Sequence, residues 1–338
     1  MGKIALAVFV SLLLVSEVVA QPPRLTTVRV GEIGILSDIE FYWGMEKGYY
    51  KERGIELKLA RFASAAVAMA PLAAGELDVA GGGISVGTFN AFARGFPVKI
   101  VAARARSTPA NDSNLFMVRT DLRDQIRRAA DLKGRKFAIN AAGSPLTYQL
   151  GKAMESDGLT IKDVDLIIMP WPDMGIAFKN KAIDVGIVIE PFPARFEEQG
   201  VAYVWKAAAD FVKPDMEVAV LFYNKDWAEK NPQVAKDFMV AYLKSLRVHY
   251  EALVPGKIRD EVVEITTRHT PIKDKATIHK MRWSFADPNG TVGKESIKDQ
   301  QEWYFRNGFV PKKADIDQLI DESYLKYALE ILGPYRPR

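Results

Sequence analysis

The sequence has no cysteine among its 338 residues. Disulfide bonds, thiolate metal ligands and cysteine nucleophiles are therefore excluded, and so is the lipid attachment that would tether an exported protein through a cysteine. A chain of this length can bury enough apolar surface to fold without disulfides. The absence predicts a protein that depends on its core for stability and is not a lipoprotein.

Histidine is scarce as well, since only His249, His269 and His279 occur. Their spacings of twenty and ten fit neither an i, i+4 helical pair nor a standard zinc arrangement, so no metal site is predicted. The chain before His249 therefore lacks the usual base of Ser-His or Cys-His catalysis. We expect a protein that is not an enzyme and that uses no cofactor.

Charge of one sign is nowhere concentrated. The formal net charge is +4, and no run of five like charges occurs. A nucleic-acid partner would call for a basic patch or stripe, so none is expected.

Long apolar runs are confined to the first twenty residues. Lys3 precedes an apolar run over 4–15, and Val18-Val19-Ala20 resembles a signal-peptidase site. This pattern predicts a signal peptide over residues 1–20 and export to the periplasm. No later stretch reaches the ~18 apolar residues of a membrane span.

Alternating strand and helix patterns fill two later blocks of the chain, 26–115 and 120–217. Such alternation predicts α/β domains with parallel sheets. Two similar segments, 116–122 and 221–227, flank the second block, and each is an apolar strand that ends in polar residues and an aspartate. We interpret these segments as two crossings between domains.

The crossings give the predicted organisation of the chain. The first lobe comprises residues 21–118 plus 223–338, and the second comprises residues 119–222. Two crossings side by side form a hinge. The histidine-containing helices of the C-terminal third would then complete the first lobe, and the protein is expected to be a monomer.

The most informative segment runs from Gly34 to Leu57, where polar and aromatic residues separate a strand from a helix predicted over 39–53. In an open α/β sheet such a turn lines a crevice in which a ligand meets free N–H groups of a helix N-terminus. The candidate ligand contacts in this turn are Ser37, Asp38, Phe41 and Tyr42.

Comparable turns follow other predicted strands. Their candidate contacts are Ser85, Arg106, Gly143, Ser144, Tyr148, Trp171, Asp173 and Glu190. Several have a purely structural alternative: the glycines beside Ser85 could serve a turn with positive φ, Ser144 could only cap its helix, and Trp171 could pack inside its own lobe. Whether Arg104 and Arg106 face the crevice stays open.

Six segments in order carry a resemblance to a known family: EKGYYKERGIEL (46–57), GELDVAGGG (75–83), ARGFPVKIVA (93–102), DLKGRKFAINAAGS (131–144), GIVIEPFPARFEEQG (186–200) and the Asn-Pro-headed helix at 231. The chain resembles the substrate-binding proteins of ABC transporters of the nitrate/sulfonate/taurine and thiamine-pyrimidine precursor type. The resemblance implies a two-lobed periplasmic binding protein of type II-like fold, whose hinge closes on a small solute and which delivers that solute to an inner-membrane permease.

The solute itself stays open. A sulfonate or carboxylate would need arginines or helix N-termini, whereas a pyrimidine would use carboxylates and stack on Phe41, Tyr42, Tyr148 and Trp171. The many rings of the first turn favour a planar organic ligand. Two other functions remain as alternatives, a pyrimidine-forming enzyme of the thiamine-precursor branch and a sensor subunit for a membrane receptor.

Overall fold

The computed structural model describes residues 25–213 and 215–336. The predicted signal peptide lies outside these residues. Within them, no helix is both long and apolar enough to cross a membrane.

The described residues form ten strands and thirteen α-helices. The strands are β1 (Thr26–Glu32), β2 (Ile55–Arg61), β3 (Val79–Gly83), β4 (Val98–Ser107), β5 (Asn114–Arg119), β6 (Lys136–Ile139), β7 (Asp165–Ile168), β8 (Val185–Ile189), β9 (Ala202–Ala207) and β10 (Met216–Asn224). The helices are α1 (Ile39–Glu46), α2 (Ala65–Ala73), α3 (Val86–Ala93), α4 (Pro145–Glu155), α5 (Trp171–Lys179), α6 (Phe192–Glu198), α7 (Lys225–Lys230), α8 (Pro232–Glu251), α9 (Lys257–His269), α10 (Lys275–Lys280), α11 (Lys294–Arg306), α12 (Ile316–Leu319) and α13 (Ser323–Leu332).

The strands form two sheets of five. The first has the order β2-β1-β3-β10-β4, and the second has the order β7-β6-β8-β5-β9. In each sheet four strands run in one direction, as the alternating pattern predicted. The fifth is antiparallel to both of its neighbours: β10 lies between β3 and β4, and β5 lies between β8 and β9. Both sheets are therefore mixed, because the strand that follows each passage between sheets enters from the opposite end.

The apolar parts of the two predicted crossing segments lie in these antiparallel strands. The chain leaves the first sheet after Ser107 and returns to it after Ala207, so β5 lies wholly in the second sheet and β10 wholly in the first. The predicted boundaries at 118/119 and 222/223 thus fall inside strands, since the connections come before the apolar strands and not at their polar ends.

The helix predicted over 39–53 is shorter than expected. It ends at Glu46, and Gly48 then adopts a left-handed φ of 77°. A short 3₁₀ turn over Lys51–Arg53 follows, and Gly54 with φ 71° leads into β2. The prediction extended the helix to the residue before Gly54 and did not detect the earlier stop near Gly48, because glycine at either position satisfies a positive φ.

Three apolar clusters hold these layers together. Two of them lie against the first sheet, and the long helix α8 packs on α1 and α13 in one of these. The third surrounds the second sheet. Helix α11 joins the two halves: its Trp303 donates to Glu155 of α4 at 2.7 Å, and its Tyr304 hydroxyl donates to the Ser144 carbonyl at 2.6 Å.

Candidate functional site

A cavity of about 80 Å³ lies where the two sheets face each other. Turns at strand ends and the N-termini of helices line it from both sides. The half of the molecule built on the first sheet contributes the turn after β1, the start of α2, the end of β3 with the residues that follow it, and the end of β4. The half built on the second sheet contributes residues beside β5 and β8 and the starts of α4 and α5. The polar lining residues are Ser37, Ser64, Ser85, Arg106, Asp112, Ser113, Asn114, Asn140, Ser144, Trp171, Glu190, Arg282 and Ser284.

Four helices of eight or more residues begin at this cavity, namely α2, α3, α4 and α5. The first N–H groups of a helix have no acceptor inside it, and the helix dipole adds positive potential there. Ser64 and Ser85 accept a hydrogen bond from the third helical residue of α2 and α3, so these hydroxyls serve as caps. Converging N-termini are a favourable environment for an anion.

Two buried hydrogen-bond donors at the cavity have no partner among the described residues. Ser144 is the N-cap of α4, yet its hydroxyl makes no capping bond, and only 5% of the residue is exposed. The indole Nε1 of Trp171, the first residue of α5, is likewise unpaired, and the residue is 9% exposed. A buried polar group without a partner costs on the order of 1–3 kcal/mol. Both donors are thus available to a ligand.

The two arginines of the lining differ in their partners. Arg106 donates to Glu217 at 3.1 Å and to the Thr291 carbonyl, and it lies 3.6 Å from Asp287, so its charge is already matched. Arg282 is exposed, and its guanidinium makes no ion pair with the described residues. Arg282 is therefore the cation of this lining that is open to an incoming anion.

Two carboxyl groups lie in the same wall. Burial raises the pKa of Glu190 to about 7, although the backbone N–H groups of Arg282 and Ala194 donate to it at 3.0 and 3.4 Å. Burial likewise raises the pKa of Asp112 to about 6, against the N–H groups of Asn114 and Ala209. Near pH 7 Glu190 is therefore only about half ionised, whereas Asp112 carries most of its negative charge.

We expect Glu190→Gln to gain stability relative to the wild type as the pH rises from about 5 to 8. The folded protein holds the Glu190 proton up to about pH 7, whereas the unfolded chain releases it near the ordinary value of 4.5. The contribution of this group is thus complete below pH 4.5 and is lost on the way to pH 7, on the order of 3 kcal/mol. Urea unfolding of both proteins at pH 5 and pH 8 measures the difference, with the exposed Glu229→Gln as control; a constant difference would contradict the assignment.

Six of the twelve predicted contacts line the cavity: Ser37, Ser85, Arg106, Ser144, Trp171 and Glu190. The turn after β1 and the start of α1 supplied four of the predicted contacts, but the aromatic side chains there are buried in the core. Phe41 packs against Phe238 and Tyr242. Tyr42 donates to Glu32 at 2.8 Å and stacks on His269.

The other four predicted residues also lie outside the cavity lining; they are Asp38, Gly143, Tyr148 and Asp173. Asp38 is fully buried beneath the turn, and Tyr148 donates from α4 to Asp299. Asp173 lies exposed in the first turn of α5. Gly143, with φ 68°, accepts from the Val86 N–H at 2.9 Å and thereby joins the two sheets beside the cavity.

Asp38 belongs to a buried charge cluster behind the cavity, made of Arg104, Asp38, Glu40 and His249. Arg104 donates to Asp38 at 3.0 Å and to Glu40 at 2.9 Å, and the His249 ring lies 2.8 Å from Glu40. The second oxygen of Asp38 accepts three backbone N–H groups, those of residues 33 to 35. Arg104 thus faces away from the cavity and fixes the turn that lines it.

Several lining residues were missed by the sequence, among them Ser64, Asp112, Asn114, Asn140, Arg282 and Ser284. Ser64 carried a detectable signal, because an N-cap serine after β2 is the same kind of turn as those proposed. Arg282 and Ser284 carried none, since they lie between α10 and α11 in a region that reads as helical packing. In the described part of the chain, no group of three or more His, Cys, Asp or Glu side chains is arranged to hold a metal ion.

The two mixed sheets with a cavity between them define a two-domain α/β protein of the periplasmic binding-protein fold. The periplasmic nitrate-binding protein NrtA of Synechocystis superposes with a TM-score of 0.76 at 18% identity, covering 93% of this chain and 90% of that one. The alkanesulfonate-binding protein SsuA of Xanthomonas axonopodis superposes with a TM-score of 0.71 at 16% identity, covering 89% and 99%.

The sequence comparison agrees with the fold. The chain belongs to the NMT1/THI5-like family, whose profile matches residues 37–252. A Bacillus subtilis protein named for the binding of aliphatic sulfonates is 24% identical over 318 residues, which is 91% of this chain and 89% of the relative. These findings confirm the resemblance stated from the sequence motifs. The relatives are named as binding proteins, in agreement with the expectation that the chain is not an enzyme.

Proposed function

We propose that this protein is the solute-binding component of an ABC importer and that its solute is a small anion held in the cavity between the sheets. The observation that carries the proposal is the meeting of four helix N-termini with two unpaired buried donors, the Ser144 hydroxyl and the Trp171 indole. Anions are bound in proteins by this combination of free N–H groups and dipole ends. The relatives named for sulfonate and nitrate binding support the same class of solute.

The lining of the cavity favours a small anion over a large planar ligand. Among the rings that favoured a planar ligand, only Trp171 lines the cavity. The reason for preferring a pyrimidine is therefore weakened, and an oxyanion, a short sulfonate or a short carboxylate becomes the better candidate.

We further propose that each sheet is the centre of a lobe and that the lobes move about the two connections preceding β5 and β10. A solute that touches both lobes makes more contacts when they are closed, so it shifts the population toward the closed form. A periplasmic location and delivery to a membrane permease follow from the leader-like pattern of the sequence and from the periplasmic nitrate-binding relative.

We expect Ser144→Ala and Trp171→Phe each to weaken anion binding about 10- to 100-fold, because each removes a hydrogen bond to a charged group. Isothermal titration of the purified protein against nitrate, bicarbonate, short sulfonates and short carboxylates provides the affinities. Ser323→Ala is the matched control, because Ser323 is an exposed serine at the start of α13 and does not line the cavity. Unchanged affinity in both cavity variants, or no binding by any of these anions, would contradict the proposal.

A further inference from the structure

The cavity also contains buried acceptors that an anion cannot satisfy. Asn114 at the start of β5 is 1% exposed, and no described residue donates to its Oδ1. Asn140, directly after β6, has an unpaired buried Oδ1 as well. Both residues line the cavity from the side of the second sheet. A buried carbonyl oxygen needs a donor, and an oxyanion offers none.

The contacts of Gln149 determine which way the Asn114 amide faces. Gln149 is fully buried, and its Nε2 lies 3.7 Å from the thioether sulfur of Met216. A thioether accepts weakly and cannot donate, so the amide nitrogen rather than the oxygen belongs on that side. The Oε1 of Gln149 then accepts from Asn114 Nδ2 at 3.1 Å, which leaves Asn114 Oδ1 as the unpaired atom. The contacts that link Met216, Gln149 and Asn114 therefore leave Asn114 Oδ1 as an acceptor at the cavity.

The carboxyl groups of Asp112 and Glu190 lie in the same wall. Asp112 precedes Asn114 by two residues, and each of the two carboxyl groups already accepts two backbone N–H groups. Four oxygen-bearing side chains thus lie on the side of the second sheet. Across the cavity, the N-termini of α2 and α3 belong to the first sheet. Ser144 and Trp171, at the starts of α4 and α5, lie on the second-sheet side as well, so this side offers both hydrogen-bond donors and acceptors to a ligand.

We infer that the solute carries at least one hydrogen-bond donor, an amino or hydroxyl group, in addition to its anionic group. The inference rests on the proposed function and narrows its substrate class. The anionic end pairs with the helix N-termini, Ser144 and Trp171, and the donor end pairs with Asn114 and Asn140. Amino- and hydroxy-substituted sulfonates or carboxylates and bicarbonate belong to this class, whereas nitrate and unsubstituted alkanesulfonates do not.

Matched pairs of anions test the inference. Taurine and ethanesulfonate, β-alanine and propionate, and bicarbonate and nitrate form three pairs in which one member carries a donor and the other carries none. A site built to bind a donor discriminates strongly against an analogue that lacks it, because its buried acceptors are left unpaired. In the pair that binds most tightly, we expect the donor-bearing anion to bind at least about ten-fold more tightly in isothermal titration.

Two variants separate this inference from the general proposal. Asn140→Ala is expected to reduce the preference for the donor-bearing member at least about three-fold, while the melting temperature is retained because the lost oxygen had no partner. Ser144→Ala is expected to weaken both members by a similar factor and to leave the preference unchanged. Asn180→Ala, at the exposed end of α5, is the matched asparagine control.

The outcomes are distinct. Equal or tighter binding of the donor-free member in the best pair would overturn the inference and leave the anion receptor intact. The same holds if Asn140→Ala leaves the preference unchanged. Binding of none of the six anions would overturn both the inference and the proposed function.

Discussion

Replacement of Arg104 by methionine is expected to lower the free energy of unfolding by about 3–5 kcal/mol. Arg104 is 1% exposed, and its partners Asp38 and Glu40 are fully buried. It also donates to the Ser37 carbonyl and lies 4.9 Å from the centre of the Phe41 ring. Methionine retains the apolar volume but leaves two buried acidic side chains, with His249 beside Glu40 as the remaining basic partner among the described residues.

The loss is large because Glu40 is ionised at the expense of desolvation. Burial alone would raise the pKa of Glu40, yet the charge of Arg104 and the hydrogen bond from His249 lower it below its ordinary value. Without Arg104 the same burial would act against the charged form. Asp38 would then hold the turn over residues 33–35 less firmly, so anion binding is expected to weaken as well.

Chemical unfolding in urea at pH 7 measures the effect. Lys244→Met is the matched control, because Lys244 pairs with Glu52 at the surface, where the side chains are 34% and 62% exposed. Such a pair contributes less than about 1 kcal/mol. If the two variants lost similar stability, the Arg104 cluster would not have the role assigned to it.

The burial of the first turn shows what a sequence alone can and cannot predict. The sequence correctly indicated that a strand, a turn and a helix follow one another at residues 26–46. It did not indicate that the Tyr42 side chain points into the core, because its partners Glu32 and His269 lie outside helix α1. Periodicity predicts which face of a helix is buried. Whether a polar side chain can lie on that face depends on hydrogen-bond partners supplied by other elements of the fold.

The glycines of β3 show the same limit. Glycines at the end of a buried strand allow the backbone to approach a ligand closely. A Cβ on Gly81 would instead lie 1.8 Å from Arg104 Nη1, and one on Gly82 would lie 2.5 Å from the Ala65 Cβ. Only Gly83, at the end of the strand, meets the opposite half of the molecule. Gly82 and Gly83 line the cavity, whereas Gly81 leaves room for the buried Arg104.

Gly83 offers a direct test of lobe closure. A Cβ at this position would lie 2.8 Å from Cγ and 3.0 Å from Cδ of Pro145, the first residue of α4. Gly83 belongs to the first sheet and Pro145 to the helix that follows β6 of the second, so a side chain here acts as a wedge between them. Beside it, the Val86 N–H donates to the Gly143 carbonyl at 2.9 Å, and this bond would also be stretched.

We expect Gly83→Val to weaken anion binding about 10- to 100-fold while the protein stays folded. Overpacking costs about 1–3 kcal/mol where the structure cannot yield, and here the lobes can separate, so the cost falls on the closed form alone. Gly87→Ala is the control, since its nearest neighbours are Ser85 and Ala66 on its own side of the cavity. Titration with the tightest-binding anion measures the affinity, and small-angle scattering with and without that anion measures closure. Wild-type affinity in Gly83→Val would mean that the contact between Gly83 and Pro145 is not needed for binding. Loss of folding in this variant would mean that the two halves of the protein do not move apart to relieve the overpacking.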